Sequence, residues 1–143
     1  MAMEFEPAQA AELGAEQCLT LLMSQQVGRL VTSEPSVQVR PLNFRLVGDT
    51  IVVRTAEPVA EGSLVSFEVD SIDPDQEQGW SVVVTGHTSS ARLTEFGMEF
   101  IDEPAPWAPG DKPWLTKIVI ETIEGRWVRA ARTRTMLDGR GYL

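Results

Sequence analysis

Arg54 and Thr55 are the first residues whose types and spacing could do chemistry, because they close an apolar alternation, TIVVRT. A guanidinium fork and a hydroxyl suit the oxygens of a phosphate dianion. The turn that follows, AEPVAEG, brings Glu57 and Glu61 and no lysine. A carboxylate about 4 Å from a phosphate opposes binding by about 1 kcal/mol in water, and by about 4 kcal/mol at an effective dielectric constant near 20. The pair therefore indicates an anion site that is weakened unless both glutamates point to solvent.

The other reactive side chains are single residues. Cys18 is the only cysteine and His87 the only histidine, which excludes a zinc cluster and a Ser-His-Asp relay with a spare histidine. Cys18 falls on the apolar stripe of a predicted helix with no positive charge nearby, so we interpret it as a core residue rather than a reactive thiolate. We interpret His87 as a structural residue of a strand, with proton transfer as the alternative.

Known catalytic motifs are missing from the sequence. There is no GxGxxG, GxxxxGK[ST] or GxSxG, so an enzyme built on this chain would take its reactivity from a bound group. Asp70, Asp73 and Asp75 lack the glycine and the bidentate glutamate of a calcium loop. No metal site is predicted.

Trp80 is the tryptophan best placed to contact a ligand. It begins a predicted strand beside Ser81 and after Gly79, a glycine that permits close backbone approach. Tryptophans each bury on the order of 200 Å² and most often fill a core or an interface. The alternative is that one or two of them flank a planar ligand; the four are Trp80, Trp107, Trp114 and Trp127.

The elements that must position these residues are mostly strands. Apolar spacing predicts a helix over residues 7–26, with Leu19, Leu22 and Met23 on one stripe. Alternation and turn residues predict strands over 28–33, 36–48, 50–55, 63–72, 79–93 and 114–128, and an irregular segment over 102–113.

Irregular positions are also predicted within these strands. A bulge is predicted at Pro41, where the apolar phase changes, and a bend near Gly86. A break is predicted at Gly125, and the three valines 82–84 indicate burial on both faces. Six strands after a leading helix predict a mainly β fold, an antiparallel barrel or sandwich, in a single domain over residues 1–143.

Composition limits the classes of partner and compartment. The net charge of −9 argues against general nucleic-acid affinity. A basic tail over 130–143 is either solvated, packed on the acidic body or an anion-binding arm; nucleic-acid binding through it ranks last among the functions considered. The acidic N-terminus does not resemble a secretory signal, and no apolar run approaches the roughly 20 residues that cross a bilayer. With one cysteine, these features predict a cytoplasmic protein.

The order of segments resembles the pyridoxamine 5'-phosphate oxidase-like family of FMN-binding split barrels. The resemblance covers about residues 14 to 129 and rests on CLTLLMSQQVGRL, RPLNF, TIVVRTA, VSFEVDSID, GWSVVVTG, PWAPG and a final I-x-GR-x-V, in that order. Each piece alone is weak, and together they are fairly specific. The family implies a six-stranded antiparallel split β-barrel with an N-terminal helix that pairs as a homodimer.

The resemblance also implies where a cofactor would lie, with FMN bound at the dimer interface. Pro41, Leu42, Asn43 and Phe44 match the strand along the flavin ring, Arg54 and Thr55 match the phosphate segment, and Trp80 and Ser81 match a segment close to the cofactor. Family members typically have a lysine after the arginine and threonine, and this chain has the turn AEPVAEG instead.

Two hypotheses therefore stay open. The first is an FMN-dependent oxidoreductase that takes electrons from a reduced nicotinamide or deazaflavin. The second is a non-catalytic split-barrel relative with lost or weakened FMN binding, which acts as a binding or regulatory module. Oxidation of pyridoxamine phosphate itself is disfavoured, because Arg126 alone is a poor substitute for the arginine-rich substrate signature of true oxidases.

Overall fold

The computed structural model describes residues 3–92 and 114–135, and they form one helix and ten strands. The predicted irregular segment 102–113, which includes Trp107, lies outside the described residues. The helix is α1 (Ala15–Met23). The strands are β1 (Met3–Glu6), β2 (Gln9–Leu13), β3 (Val27–Thr32), β4 (Gln38–Val47), β5 (Thr50–Thr55), β6 (Leu64–Asp73), β7 (Gln78–Ser90), β8 (Trp114–Val119), β9 (Thr122–Arg129) and β10 (Arg132–Thr135).

Six strands close into an antiparallel barrel. They neighbour one another in the order β7, β6, β3, β4, β5 and β8, and β8 returns to pair with β7. The long β7 changes partner along its length, because residues 78–85 pair with β9 and residues 88–90 pair with β8. Gly86 lies at the changeover, where a Cβ would come within 2.2 Å of the carbonyl oxygen of Val119. The predicted class, a mainly β fold with a six-stranded antiparallel barrel and an N-terminal helix, is confirmed.

The helix is shorter than the prediction of residues 7–26. Gly14 is extended (φ −70°, ψ 162°) and α1 begins at the next residue. The segment before it, β2, pairs with β9 instead, because the ladder satisfies backbone groups that an isolated helical turn would leave open. The helix buries Cys18 and Leu22 completely, which confirms Cys18 as a core residue, whereas Met23 is 74% exposed and does not belong to the buried stripe.

The predicted bulge at Pro41 is wrong. Pairing between β3 and β4 is uninterrupted from Val27 opposite Asn43 to Thr32 opposite Gln38. The apolar phase changes along β4 for another reason. Val37 and Val39 are 74% and 61% exposed on the outer face, while Phe44 is buried on the inner face.

The last predicted strand breaks at residues 120–121 rather than at Gly125. The Ile120 N–H donates to the Asp49 carbonyl and the Glu121 N–H donates to the Thr85 carbonyl, at 2.8 and 2.9 Å. These bonds end β8 and redirect the chain into β9. Gly125 lies inside β9, where a Cβ would come within 2.5 Å of the Cys18 Sγ. This glycine therefore permits close packing of α1 on the sheet.

The core fills the barrel with apolar side chains from each of its strands. Phe44 and Phe67 meet edge to face at its centre, with ring centroids 5.1 Å apart. Val82 and Val84 are fully buried, but Val83 is 37% exposed. The prediction that β7 is buried on both faces is therefore wrong for the single chain. The other buried apolar residues of the barrel are Leu30, Ile51, Val52, Val53, Val65, Val69, Leu115 and Ile118.

Part of the basic tail forms β10, which pairs antiparallel with the acidic β1. Glu6 lies opposite Arg132 in this ladder, and the Arg132 Nη2 donates to the Gln76 carbonyl at 2.9 Å. Residues 136–143 of the tail lie outside the described residues.

No helix in the described part of the chain is both long enough and apolar enough to cross a membrane.

Candidate functional site

A cavity of about 680 Å³ opens at one end of the barrel. Its walls are the connection between β3 and β4, the first residues of β4, and the turn from β5 into β6. Among the described residues that line it, Arg40 is the one cation, and Glu34 and Glu57 are the carboxylates. The other lining residues are Thr32, Ser33, Pro35, Gln38, Pro58, Val59, Ala60, Gly62, Ser63, Leu64 and Val65.

The turn over residues 56–63 is fastened to β7. The Thr88 hydroxyl donates to the Ala60 carbonyl at 2.5 Å and accepts the Ser63 N–H at 3.1 Å. The Gly62 N–H donates to the Thr88 carbonyl at 2.8 Å, and Gly62 has a φ of +72°, a conformation that favours glycine. One wall of the cavity is therefore held in place by hydrogen bonds to the barrel.

Arg40 is the residue of this cavity that the sequence analysis did not nominate. It pairs in register with the buried Leu30, and by alternation it shares the core-facing side of β4 with Leu42 and Phe44. Its Nε is buried and has no hydrogen-bond partner within the described residues. Such a donor is usually satisfied in native proteins. One other buried guanidinium Nε in the described part of the chain, that of Arg129, also has no partner, but Arg129 is not among the residues that line this cavity. The sequence signal that could have identified Arg40 is an arginine in the apolar phase of a predicted strand.

The two glutamates of the turn behave differently. Glu61 accepts the N–H and the hydroxyl of Ser90 at 2.9 and 2.5 Å, and the hydroxyl contact foremost holds the pKa of Glu61 below its usual value. Glu61 does not line the cavity, whereas Glu57 does. The charge opposed to an anion therefore comes from Glu57 and not from both residues.

The predicted ring-binding strand lies beside this cavity. Pro41 is exposed, Leu42 packs on the core and Phe44 lies within it. The Asn43 Nδ2 and the Phe44 N–H both donate to the Gln26 carbonyl, at 3.3 and 3.1 Å. These four residues thus follow Arg40 directly on β4, but they are not among the residues that line the cavity.

Arg54 and Thr55, the predicted phosphate residues, are not among the lining residues. Thr55 is 3% exposed, and its hydroxyl donates to the Glu57 carbonyl. Arg54 is half-buried opposite Leu115 on β8, and by alternation it lies on the face of β5 opposite to Thr55. The structure therefore brings Arg40, rather than this pair, to the cavity.

Trp80 and Ser81 lie on another surface of the same chain. They pair with Trp127 and Arg126 of β9, and with Arg126 they line a separate cavity of about 230 Å³. Trp80 also lines a groove of about 500 Å³ beside α1 together with Trp127. Within one chain, the structure does not join these residues to Arg40.

A second charged cluster lies on the outer face between β3 and β6. The Arg29 Nη1 is 3.1 Å from the Glu68 Oε1 and 3.1 Å from the Asp70 Oδ2. Burial, followed by the neighbouring Asp70, raises the pKa of Glu68 to about 7 despite Arg29. The guanidinium is paired within the fold, so this cluster is structural.

His87 is an exposed partner of Glu121. The Glu121 Oε2 lies 2.6 Å from the His87 Nδ1 and accepts the His87 N–H at 2.8 Å. This contact ties β7 to the turn before β9 and agrees with a structural role.

Elsewhere in the described residues, burial raises the pKa of the Cys18 thiol, and no group of three or more potential metal ligands occurs.

The sequence of the chain matches a known protein family. The family model for pyridoxamine 5'-phosphate oxidase matches residues 14–136. The chain is a member of the pyridoxamine 5'-phosphate oxidase family, which confirms the resemblance found in the sequence.

Individual proteins are similar to this chain in sequence or in structure. The chain is 32% identical over 137 residues to an uncharacterized protein of Mycobacterium tuberculosis, covering 87% of this chain and 90% of the relative. A candidate pyridoxamine 5'-phosphate oxidase of Corynebacterium glutamicum has a similar structure, with a TM-score of 0.72, 29% identity and coverage of 85% and 99% of the two chains. An FAD-binding protein of Mycobacterium smegmatis follows, with a TM-score of 0.65, 29% identity and coverage of 85% and 100%.

Proposed function

We propose that this protein binds a flavin and that Arg40 holds its phosphate in the cavity at the end of the barrel. The observation that carries the proposal is the buried Arg40 Nε without a partner. Arg40 immediately precedes residues 41–44, the part of β4 that matches the flavin-lining strand of the family. A phosphate oxygen would supply the acceptor that this N–H lacks, in a charge-assisted hydrogen bond. The similarity to an FAD-binding protein supports a flavin.

The residues present fit such a ligand in part. Arg40 supplies positive charge at the cavity, and residues 41–44 follow it on the same strand. Glu34 and Glu57 oppose an anion, and no lysine occurs among the lining residues in the described ranges 3–92 and 114–135. The fit therefore favours binding of moderate strength, and FMN is the flavin that the sequence predicts.

A complete site requires a second copy of the chain in this proposal. Trp80 and Ser81 line a different surface from Arg40, so one chain offers two partial sites. Val39 is exposed on the outer face of β4, and Val37 is exposed just before the strand begins, which favours contact with another apolar surface. We therefore propose a homodimer that binds its small-molecule ligand between the subunits.

The proposed activity is that of an oxidoreductase. A bound flavin would supply reversible electron transfer, with a reduced nicotinamide or deazaflavin as the donor. The contribution of the chain would be to bind and orient: Arg40 holds the phosphate, the backbone of residues 41–44 meets the polar edge of the ring, and Trp80 covers the ring from the second copy. The single buried cysteine supports a reducing compartment, the cytoplasm.

A non-catalytic module is the second candidate, and Glu57 favours it. A carboxylate in the cavity, without a lysine, lowers the expected affinity for a phosphate dianion. Such a protein would keep the barrel and the dimer and would bind another ligand.

Flavin titration separates the two candidates. We expect the purified protein to show flavin absorption bands or to quench the fluorescence of added FMN or FAD. Arg40→Ala should weaken that binding about 100-fold, since it removes a charge-assisted contact worth about 1.5–3 kcal/mol together with long-range attraction. Absence of flavin binding by the wild-type protein would exclude the first candidate.

Two arginines serve as controls for Arg40. Arg45 lies on the same strand in the opposite phase and is exposed, so Arg45→Ala should bind flavin like the wild type. Arg54→Ala tests the phosphate residue predicted from the sequence. If Arg54→Ala abolishes binding and Arg40→Ala does not, the phosphate lies near Arg54 instead.

Scattering measurements test the dimer. We expect a mass twice the 15.8 kDa of the chain, and we expect Val39→Asp to shift it toward the monomer and to weaken flavin binding. A wild-type protein that is monomeric at all concentrations would refute a shared site.

A further inference from the structure

We infer that Glu57 determines which flavin the cavity accepts, by disfavouring a terminal phosphomonoester, as in FMN, relative to a diphosphate linkage, as in FAD. The inference rests on the proposed function of the same cavity. It adds a specificity residue that the phosphate-binding role of Arg40 does not require.

The charges that line the cavity give the first step. Of the lining residues that the structure describes, Arg40 is the single cation and Glu34 and Glu57 are the carboxylates, so these side chains carry a net charge of −1. One guanidinium can balance one negative charge of a ligand. A second charge on the same phosphorus is left facing a carboxylate.

The hydrogen bonds of the turn give the second step. Glu61 is turned away and accepts two bonds from Ser90, which keeps its charge outside the cavity. The Thr55 hydroxyl donates to the Glu57 carbonyl, so its proton is not offered to a ligand. The contact also fixes the backbone of Glu57 at the cavity wall. Of the two turn glutamates, Glu57 is therefore the one that acts on a bound anion.

The chemistry of the two flavins gives the third step. A phosphomonoester carries about −1.5 to −2 at pH 7, since its second pKa is near 6. Each phosphate of a diphosphate linkage is a diester-type group and carries about −1. One unit of charge about 4 Å from an exposed carboxylate changes affinity about fivefold in water. FMN therefore places its whole phosphate charge on one phosphorus beside Glu57. FAD divides about −2 between two phosphates, and only one of them can lie equally close to the carboxylate, so the repulsion is larger for FMN.

The test is a titration of wild type, Glu57→Gln and Glu57→Lys with FMN, FAD and riboflavin, followed by flavin fluorescence and by calorimetry. Riboflavin lacks phosphate and reports the ring alone. We expect Glu57→Gln to tighten FMN about 10- to 30-fold and FAD about fivefold and to leave riboflavin unchanged. Glu57→Lys should tighten FMN further. The change in the FMN to FAD ratio is the readout, because the adenosine of FAD makes contacts of its own.

Glu61→Gln is the matched control, one carboxylate of the same turn that faces Ser90. It should alter the FMN to FAD ratio less than twofold, and thermal unfolding will show that it stays folded. If Glu61→Gln is unstable, Glu124→Gln on the exposed face of β9 replaces it.

The outcomes separate this inference from the proposed function. If FMN and FAD bind but Glu57→Gln and Glu57→Lys leave their ratio unchanged, the specificity role of Glu57 is refuted and flavin binding stands. If no flavin binds to the wild type or to either Glu57 variant, the proposed function fails. An equal change with Glu61→Gln would show a general charge effect and would also refute the role.

Discussion

Two places in the barrel carry the same charges, one arginine with two carboxylates, and use them in different ways. On the outer face, Arg29 reaches Glu68 and Asp70 at 3.1 Å each. In the cavity, Arg40 lies with Glu34 and Glu57, yet its buried Nε has no partner among the described residues. The first guanidinium is used by the fold, and in our proposal the second binds a ligand.

The sheet explains the difference. Arg29 lies opposite Glu68 in the β3–β6 ladder, and Asp70 is two residues further along the same face of β6. Register therefore fixes this cluster. Glu34 and Glu57 come from the two connections that flank Arg40, where no ladder sets the distance between side chains. Charges in register tend to pair, whereas charges brought together by turns can stay open for binding.

Replacing each arginine by methionine should give the largest contrast in stability. Arg29→Met leaves two half-buried carboxylates without a cation, and we expect the free energy of unfolding to fall by about 1–3 kcal/mol, less than for a fully buried pair. Arg40→Met removes an unsatisfied donor and should change stability by less than about 1 kcal/mol. Denaturant unfolding measures both.

Flavin titration of the same two variants completes that comparison. Arg29→Met should keep flavin affinity and Arg40→Met should lose it. Equal destabilisation by both substitutions would show that Arg40 is also part of the internal ion-pair network.

The titration of Glu68 should give the next largest effect, on the pH dependence of stability. Burial and Asp70 raise its pKa in the folded protein to about 7, above the value of 4.5 for an unperturbed glutamate. Between these values the folded state holds more protons, so stability falls as pH rises and this contribution is lost above pH 7. Glu68→Gln should flatten the profile and be more stable than wild type at pH 8 by about 1–3 kcal/mol. Unfolding curves from pH 5 to 8 measure it.

A matched variant keeps this test specific. Glu57→Gln removes a carboxylate of the other site and should retain the wild-type slope between pH 5 and 8. A Glu68→Gln protein with the wild-type slope would mean that Glu68 titrates at an ordinary value.

The smallest effect should come from His87 and Glu121, an exposed pair outside both sites. The hydrogen bond from His87 is the main reason that the pKa of Glu121 is lowered. A lowered carboxyl pKa contributes stability above its unfolded value that is lost on acidification. His87→Gln should return the Glu121 titration, followed by carboxyl NMR shifts, toward 4.5. An unchanged titration would show that the contact does not persist in solution.

Much of the fold follows from local pattern. Alternation predicted the barrel strands because one face of each is buried and the other is not. The predicted helix was too long because residues 9–13 find their hydrogen bonds on β9, a partner more than 100 residues away that no local window contains. The change of apolar phase at Pro41 was interpreted as a bulge, because the period of a strand does not show which of its faces is turned to the core.

Less of the candidate site could be predicted from the sequence. Arg40 stood at the start of the RPLNF segment, in phase with Leu42 and Phe44, and a charged residue in that phase was a usable signal. That Glu61 pairs with Ser90 and Glu57 does not could not be predicted, since the contact joins residues 29 apart. The separation of Trp80 from Arg40 in one chain also depends on topology.

The position of β8 has a consequence for synthesis of the chain. β8 joins β5 to β7 and so closes the ring of strands, but its residues follow those of the other five strands. Until residues 114–119 leave the ribosome, β5 and β7 each present an open edge of unpaired N–H and C=O groups. Such edges template pairing with other chains. Products truncated before residue 114 should therefore aggregate more than products that extend through β9, which also covers residues 78–85 of β7; light scattering of the two sets of products measures this.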